Sequence, residues 1–284
     1  MNINKKDERI FNPVKVQRKG RWKWIVLGFL AFVLVFGTAT LFYLSDKLDS
    51  FGLGGIMEIF EEDSDNTVLS DTGESSATIL FMSVSSSQTA ESGKKEIYFL
   101  VLANADMKDK TVRFCPLPVK DSYVEAYESG SESGVCDAVA KEYNTEIDRY
   151  VSSNENTFAL AINYMGGLRY NVPQRVEYRT KDMTLILTPG EQTIKGESLV
   201  KYLKYCKEND IARQGDLFCA MLNQYVTEDN MENAMTLYKG VLEELGTNSN
   251  ISYVDTADNL NNIKLIAAKK DKKAQTVSKI KDLF

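Results

Sequence analysis

The chain has 284 residues, 43% of them hydrophobic and 26% charged, a balance that predicts a folded core rather than wholesale disorder. It contains no histidine, which excludes Ser-His-Asp and Cys-His catalysis and every zinc site built on imidazole. The net charge of −6 makes a non-specific nucleic-acid binder a poor interpretation, and any chemistry would use carboxylates, Lys, Arg, hydroxyls or an oxygen-bound cation such as Mg²⁺.

The first predicted element is a membrane anchor at residues 24–44, a run of 21 uncharged and mostly apolar residues. At about 1.5 Å rise per residue, a helix of this length crosses the hydrocarbon core of a bilayer. A secretory signal peptide is the alternative, although its apolar region is usually only about 7–15 residues long. Eight basic and two acidic residues precede the run, so the positive-inside rule predicts a cytoplasmic N-terminus and a main domain outside the cell membrane.

The sequence therefore divides into a cytoplasmic basic tail at 1–23, the single-pass anchor at 24–44, an acidic and Ser-rich stalk at 45–76, and an extracytoplasmic domain at 77–284. The tail carries a charge of +6, so the rest of the chain sums to −12. An anionic ligand of such a domain would need cations gathered locally in a pocket.

Strands and helices mix along the predicted domain. Apolar and β-branched runs predict strands at 77–85, on both sides of a turn at 104–110, and at 168–179 and 183–194. Helical periodicity predicts helices at 133–144, 157–167, 195–206, 215–226 and 230–245, and a strand and a helix close the chain after residue 250. We therefore expect an α/β fold with a mixed central sheet covered by helices on both faces, preceded by the one transmembrane helix.

Four cysteines lie in the predicted outer domain, at Cys115, Cys136, Cys206 and Cys219. An even count in an oxidising location permits two disulfides, and Cys115–Cys136 with Cys206–Cys219 is the simplest of three connectivities. Four buried free thiols are the alternative. No CxxC motif is present, so a redox or metal role for these cysteines is not expected.

Four segments, in order, carry a family resemblance: VLANADMKDKTVRFCPLPVKDSYV at 101–124, IDRYVSSN at 147–154, GGLRYNVPQRVEY at 166–178 and LTPGEQTIKGESLVKYLKY at 187–205. They resemble motifs of the LytR-CpsA-Psr family of bacterial cell-envelope proteins, and the resemblance covers about residues 77–268. Each motif alone is modest, but four in the right order and spacing make a specific signal.

The resemblance implies a transferase that moves a phosphoglycan from a polyprenyl-pyrophosphate carrier to peptidoglycan or another wall polymer at the outer surface of the lipid bilayer. Members of the family use arginines to hold the pyrophosphate and acidic residues with Mg²⁺. Carried over by motif, Lys120, Lys204 and Arg213 would bind the pyrophosphate. Asp121 would be the catalytic carboxylate, assisting a Mg²⁺ ion or orienting a cation.

The motif residues also depart from the family pattern, starting with an apparent insertion of Val119 before Lys120. The substitutions are Lys120 and Lys204 in place of two arginines, Cys206 and Asp216 in place of two more, and Glu96 in place of an aspartate. The early strand FMSVSSSQ lacks the family's acid and arginine. Since a lysine offers a point charge and not the arginine fork, these changes predict a degenerate pyrophosphate site.

Two functions remain open from the sequence. The first is a divergent transferase with reduced or lost activity, and the second is a non-catalytic paralogue that binds lipid-linked or wall glycopolymer or scaffolds envelope assembly. The simpler interpretation of Lys120–Asp121 is an ion pair at the end of a strand, and that of Lys204 and Arg213 is solvated surface charge.

Overall fold

A computed structural model describes residues 76–88, 95–181, 183–231, 248–249 and 263–284. The strands, in chain order, are β1 (Ser76–Gln88), β2 (Lys95–Asp106), β3 (Thr111–Pro116), β4 (Arg149–Ser153), β5 (Leu168–Val172), β6 (Val176–Arg179), β7 (Thr184–Leu187), β8 (Gly190–Ile194), β9 (Asn248–Ser249) and β10 (Ala274–Thr276). The α-helices whose two ends are both described are α1 (Asp121–Tyr143), α2 (Glu155–Tyr164), α3 (Gly196–Asn209), α4 (Ala212–Tyr225) and the short α5 (Glu228–Met231). Residues 263–267 are also helical, and Ile280–Asp282 form a 3-10 helix.

The predicted tail, the anchor at 24–44 and all but the last residue of the stalk lie outside the described residues. In the part of the chain that the structure describes, no helix is long and apolar enough to cross a membrane. β1 begins at Ser76, next to the predicted start of the folded domain. The division of the chain into four parts stays a prediction.

Six strands form one mixed sheet in the order β10-β3-β2-β1-β4-β9. Antiparallel pairing joins β1 to β2, β2 to β3 and β4 to β9, whereas β1 with β4 and β3 with β10 pair parallel. In β2 the residues 97–105 are all buried, which is typical of a strand covered on both faces. The predicted α/β class with a mixed central sheet is confirmed.

Helices pack on both faces of this sheet. Leu100 of β2 faces one side, where it belongs to the same apolar cluster as Val135 of α1. Phe99 faces the other side, and its ring centroid lies 5.5 Å from that of Phe158 in α2 and 5.3 Å from that of Phe218 in α4. The alternation of neighbouring β2 residues between two apolar clusters follows from the period of two along a strand. Two smaller antiparallel pairs, β5 with β8 and β6 with β7, complete the described strands.

Helix α1 is longer than predicted and bends back on itself. It begins at Asp121, well before the predicted start of a helix at 133, and it is interrupted at Ser131, which has φ 55° and ψ −149°. After the bend the two halves pack closely, because a Cβ built on Gly134 would lie 2.3 Å from the carbonyl oxygen of Ala126. The bend therefore brings the last turn of α1 back to its first turn.

The backbone conformation of Ser131 gives a first prediction. Its φ and ψ lie in a region that L-residues populate at a cost of about 1–3 kcal/mol and that glycine adopts freely. Ser131→Gly is expected to raise the free energy of unfolding by about 1 kcal/mol in urea denaturation. The matched control is Ser129→Gly on the preceding ordinary helical turn, which is expected to lower it. A Ser131→Gly variant that is destabilised as much as the control would contradict the strained bend.

The four cysteines are free thiols in the structure, so the alternative of buried free thiols is the one observed. Cys115 and Cys206 are buried, and Cys136 and Cys219 are half-buried. Burial raises the pKa of Cys115 to about 11 and the pKa of Cys136 and Cys219 to about 12. Because the thiolate is the reactive form, only a small fraction of each of these three cysteines is nucleophilic near neutral pH.

Thiol alkylation tests this assignment. In the folded protein near neutral pH, a maleimide or iodoacetamide is expected to modify the four cysteines slowly, because the thiolate fraction is small and access is poor. In denaturing urea without reductant, all four are expected to react, as counted by mass spectrometry. A mass gain for only two cysteines in urea, restored to four by a reductant, would contradict the free-thiol assignment.

Candidate functional site

Two neighbouring clefts lie where β2 begins, and they contain most of the predicted site residues. The first cleft has a volume of about 790 Å³ and the second about 480 Å³. The first is lined by Lys95, Glu96, Ile97, Pro118, Val119, Lys120, Asp121, Val124, Lys207, Glu208, Asn209, Asp210 and Ile211. The second is lined by Glu96, Glu155, Asn156, Ala159, Tyr178, Thr180, Met183, Glu197, Val200, Lys201, Lys204 and Glu208. Glu96 and Glu208 line both.

Lys120 lies at the rim of the first cleft, in the extended residue that precedes the first turn of α1. Its ammonium forms an ion pair with Oε1 of Glu142 in the last turn of α1, and not with the adjacent Asp121. The hydroxyl of Tyr123 donates a 2.8 Å hydrogen bond to the other carboxylate oxygen of Glu142. These bonds lower the pKa of Glu142 and raise the pKa of Lys120, so the pair is fully ionised near neutral pH.

Lys204 belongs to the second cleft and is held by two carboxylates. Its Nζ lies 3.3 Å from Oε1 of Glu155, at the start of α2, and 4.0 Å from Oε2 of Glu96 in β2. It also lies 5.5 Å from the centre of the Tyr98 ring, within cation–π range. One turn further along α3, Lys207 Nζ forms a 2.6 Å ion pair with Oε1 of Glu96. Lys207 is therefore paired with a carboxylate of the sheet, and Lys204 is paired mainly with a carboxylate of α2.

Arg213 is the second residue of α4, which begins three residues before the predicted helix at 215–226. Its Nη2 donates a 2.8 Å hydrogen bond to Asp210, and its Nη1 lies 3.6 Å from Oδ2 of Asp216. Asp216 occupies the position where the family pattern has a second arginine. Whatever the family pattern at this position, Asp216 places an anion beside Arg213.

The three predicted cations do not meet in one cleft. Lys120 lines the first cleft together with Asp121, Lys204 lines the second, and Arg213 lines neither. Cys206, at the other motif position where the family has arginine, is buried in the core face of α3. Lys120 and Asp121, which are consecutive in the chain, thus line one cleft, and Lys204 lines the adjoining one. Arg213 is paired with Asp210, which lines the first cleft.

Carboxylates outnumber lysines in the lining of both clefts. In the first cleft the lysines are Lys95, Lys120 and Lys207, and the carboxylates are Glu96, Asp121, Glu208 and Asp210. In the second cleft the lysines are Lys201 and Lys204, and the carboxylates are Glu96, Glu155, Glu197 and Glu208. Since a concave surface concentrates the field of the charges that line it, neither cleft presents the positive potential that a diphosphate needs.

Whether the protein could hold Mg²⁺ depends on the carboxylate oxygens that lie near one another. The described residues include no group of three or more carboxylate or cysteine side chains placed to hold a metal ion. Mg²⁺ in phosphate-handling proteins is often bound through one or two carboxylates plus the substrate phosphates. Asp121, exposed at the rim of the first cleft, supplies one such carboxylate. One carboxylate alone does not make a metal site, so Asp121 would hold such an ion only together with a bound diphosphate.

Three of the ion-pair partners were missed in the sequence: Glu142, Glu155 and Lys207. Lys207 follows Lys204 by three positions on one helix, so the helical repeat could have placed both on the same face. Glu142 and Glu155 carry no local signal, because each meets its lysine only through the bend of α1 or the packing of α2 on α3.

Comparisons with known proteins give both a family and a fold. The family model described as LytR_cpsA_psr matches residues 107–282. The polyisoprenyl-teichoic acid–peptidoglycan teichoic acid transferase TagV of Bacillus subtilis (strain 168) is 22% identical over 201 residues, which cover 62% of this chain and 50% of TagV. The chain thus spans about half the length of the curated relative that it matches.

Two of the solved structures that share the fold illustrate the likeness. The crystal structure of B. subtilis TagV has a TM-score of 0.55 and 19% identity, over 73% of this chain and 85% of that one. A putative transcription regulator from Eubacterium siraeum has a TM-score of 0.57 and 16% identity, over 75% of this chain and 88% of that one. At these identities the likeness concerns the arrangement of strands and helices.

Proposed function

This chain belongs to the LytR-CpsA-Psr family, and on that premise we propose that it is an envelope protein that binds a lipid-linked or wall glycopolymer without transferring it. The observation that carries the proposal is the state of the three motif cations. Lys120, Lys204 and Arg213 are each held by a carboxylate of the protein itself, in separate places. Transfer from a diphosphate needs positive charge aimed at one developing anion, so the internal pairing of all three cations supports the non-catalytic proposal.

The proposal includes the location of the protein. Residues 24–44 would anchor it in the cell membrane with residues 1–23 in the cytoplasm, and the α/β domain would lie outside. The polymer would be a polyprenyl-pyrophosphate-linked glycan at the bilayer surface, or peptidoglycan or another wall polymer. The support for this location is the run of 21 uncharged and mostly apolar residues and the excess of basic residues before it.

Transfer of the glycan is the second candidate function, and the name of TagV, a teichoic acid transferase, favours it. In that case Lys120, Lys204 and Arg213 would bind the diphosphate, and Asp121 would hold a Mg²⁺ ion that neutralises phosphate charge. The ion pairs described above would first have to open. When a pair opens, its carboxylate stays close to the phosphates and repels them, so the rate of transfer would be low.

A turnover assay separates the two candidates. The full-length chain in detergent, with Mg²⁺ and a polyprenyl-pyrophosphate-linked glycan, is expected to release no polyprenyl phosphate above the background rate. B. subtilis TagV under the same conditions is the positive control. Release that depends on the protein and falls at least tenfold in both Lys120→Ala and Arg213→Ala would overturn the non-catalytic proposal.

Binding is the positive half of the test. The same full-length protein is expected to be retained by immobilised, purified cell walls, and the retention should not depend on Mg²⁺. Loss of retention after acid extraction of anionic wall polymers would identify the glycopolymer class, whereas loss after peptidoglycan digestion alone would identify peptidoglycan. No retention by any wall preparation, together with no turnover, would refute glycopolymer binding.

A further inference from the structure

We propose that Glu142 is an internal anion that competes with a ligand diphosphate for Lys120 and so sets the anion affinity of the first cleft. The inference rests on the proposed function, because it concerns how tightly the same cleft binds the phosphates of a lipid-linked glycan. It assigns a specificity-determining role to a residue that lies outside every family motif in the sequence.

The fold builds this contact through the bend in α1. Lys120 precedes the first turn of the helix and Glu142 lies in its last turn, so a straight helix of 23 residues would separate them by about 30 Å. The reversal at Ser131 and the close approach of Gly134 to Ala126 place the two ends side by side. The ion pair is therefore a product of the helical hairpin and not of neighbouring sequence.

Tyr123 fixes the carboxylate in the position that serves Lys120. Its side chain is buried, and its hydroxyl donates a 2.8 Å hydrogen bond to Oε2 of Glu142. The other oxygen, Oε1, faces the ammonium of Lys120. A glutamate that is already oriented loses less conformational freedom when it forms the pair, so the pair forms more readily than between two unrestrained side chains.

The pair is positioned where an anionic ligand would bind. Carboxylate and phosphate oxygens accept the same hydrogen bonds from an ammonium group, so Glu142 fills the place of a ligand oxygen. The side chains of Lys120 and Glu142 are 47% and 32% exposed, and such exposed pairs are weak and screened by salt. A diphosphate can therefore displace Glu142, but it must then bind beside a displaced negative charge.

Glu142→Gln tests the inference, because it removes the charge and keeps the shape. With inorganic pyrophosphate as the probe, calorimetry on the full-length protein at low salt is expected to show binding about threefold to fivefold tighter than wild type. Asp137→Asn is the matched control, since it removes one negative charge from an exposed position on the same half of α1. It is expected to leave the affinity within about 1.5-fold of wild type.

Two further variants identify the partner. Lys120→Ala added to Glu142→Gln is expected to abolish the gain, and Tyr123→Phe alone is expected to give a smaller gain because Glu142 is no longer held. Equal affinity in wild type and Glu142→Gln, or an equal gain in Asp137→Asn, would overturn the inference. Turnover of a lipid-linked glycan by the wild type would overturn the proposed function instead, and the Glu142 inference would still be judged by the affinity ratio.

Discussion

Gly196→Ala is expected to lower the free energy of unfolding by about 3 kcal/mol or more, although it adds only one methyl group. A Cβ at this position would lie 2.0 Å from the carbonyl oxygen of Ala159 and 2.6 Å from its carbonyl carbon. Both atoms belong to the backbone of α2, so a side-chain rotation cannot relieve the clash. The start of α3 and the middle of α2 would have to separate.

That separation would also break a hydrogen bond and disturb the second cleft. The backbone N–H of Gly196 donates a 2.8 Å bond to Oδ1 of Asn163, which fixes the start of α3 on α2. α3 carries Lys204, and α2 carries its partner Glu155. Urea denaturation of the wild type and the variant measures the loss of stability, and circular dichroism confirms that the variant still folds.

Gly130→Ala is the matched control for this change. Within the described part of the chain, a Cβ built on Gly130, in the first half of α1, would meet no tertiary neighbour within 4 Å. Alanine is favoured over glycine inside a helix by about 1 kcal/mol, so this variant is expected to be neutral or slightly more stable. Similar stability for Gly196→Ala and Gly130→Ala would contradict the close contact between α2 and α3.

Gln214→Leu is expected to cost about 2–4 kcal/mol of stability for a different reason. The side chain is buried in α4, and its Nε2 donates 3.0 Å hydrogen bonds to the carbonyl oxygens of Tyr98 in β2 and Leu203 in α3. One amide thus joins the sheet to two helices. Leucine has a similar volume but no donor, so both carbonyls lose this bond in a place that water does not reach.

Gln224→Leu on the same helix is the control for Gln214→Leu. Gln224 also makes two hydrogen bonds, to the N–H of Arg169 and the carbonyl of Gly167, but it is only partly buried. Water can replace a partner there, so the expected cost is below about 1 kcal/mol. Equal losses in the free energy of unfolding for the two variants would show that the burial of Gln214 does not add to the cost of losing its hydrogen bonds.

The sequence predicted the strands with strong apolar patterns and missed those without one. β1, β2 and β3 follow from their β-branched and aromatic runs, and the turn at 104–110 separates two of them as expected. β10 has only three residues, Ala274–Thr276, between charged and polar neighbours, and it becomes a strand because it pairs with β3. β4 is similarly short and forms through parallel pairing with β1. Pairing at long range leaves no local signal.

The candidate site, like the fold, was only partly predictable from the sequence. Lys204 lies within its predicted helix, and Arg213 lies in a helix that begins three residues before the predicted one. Lys120 and Asp121 lie at the start of a helix, where the sequence predicted the end of a strand. The sequence alone did not predict which carboxylates would hold the cations. Glu142 reaches Lys120 only because α1 bends at Ser131, a residue type that rarely has a positive φ. The pairing of Lys120 with Glu142 therefore depends on tertiary contacts.

A family fold can persist while the charges of its site change. The core positions that define the fold are apolar and far less sensitive to exchange among similar residues than a set of convergent cations. Replacing an arginine by a lysine, a cysteine or an aspartate leaves the packing intact, but it removes bidentate grip and changes the field in the cleft. The packing of the core can therefore stay the same while the charges of a site change.

A crystal structure of the protein soaked with geranyl pyrophosphate would show whether the three motif cations can act on one diphosphate. We expect that no diphosphate contacts Lys120, Lys204 and Arg213 together, and that the pairs with Glu142, Glu155 and Asp210 remain closed. A diphosphate bound by all three cations, with those pairs opened toward one cleft, would contradict the non-catalytic proposal and restore the transferase interpretation.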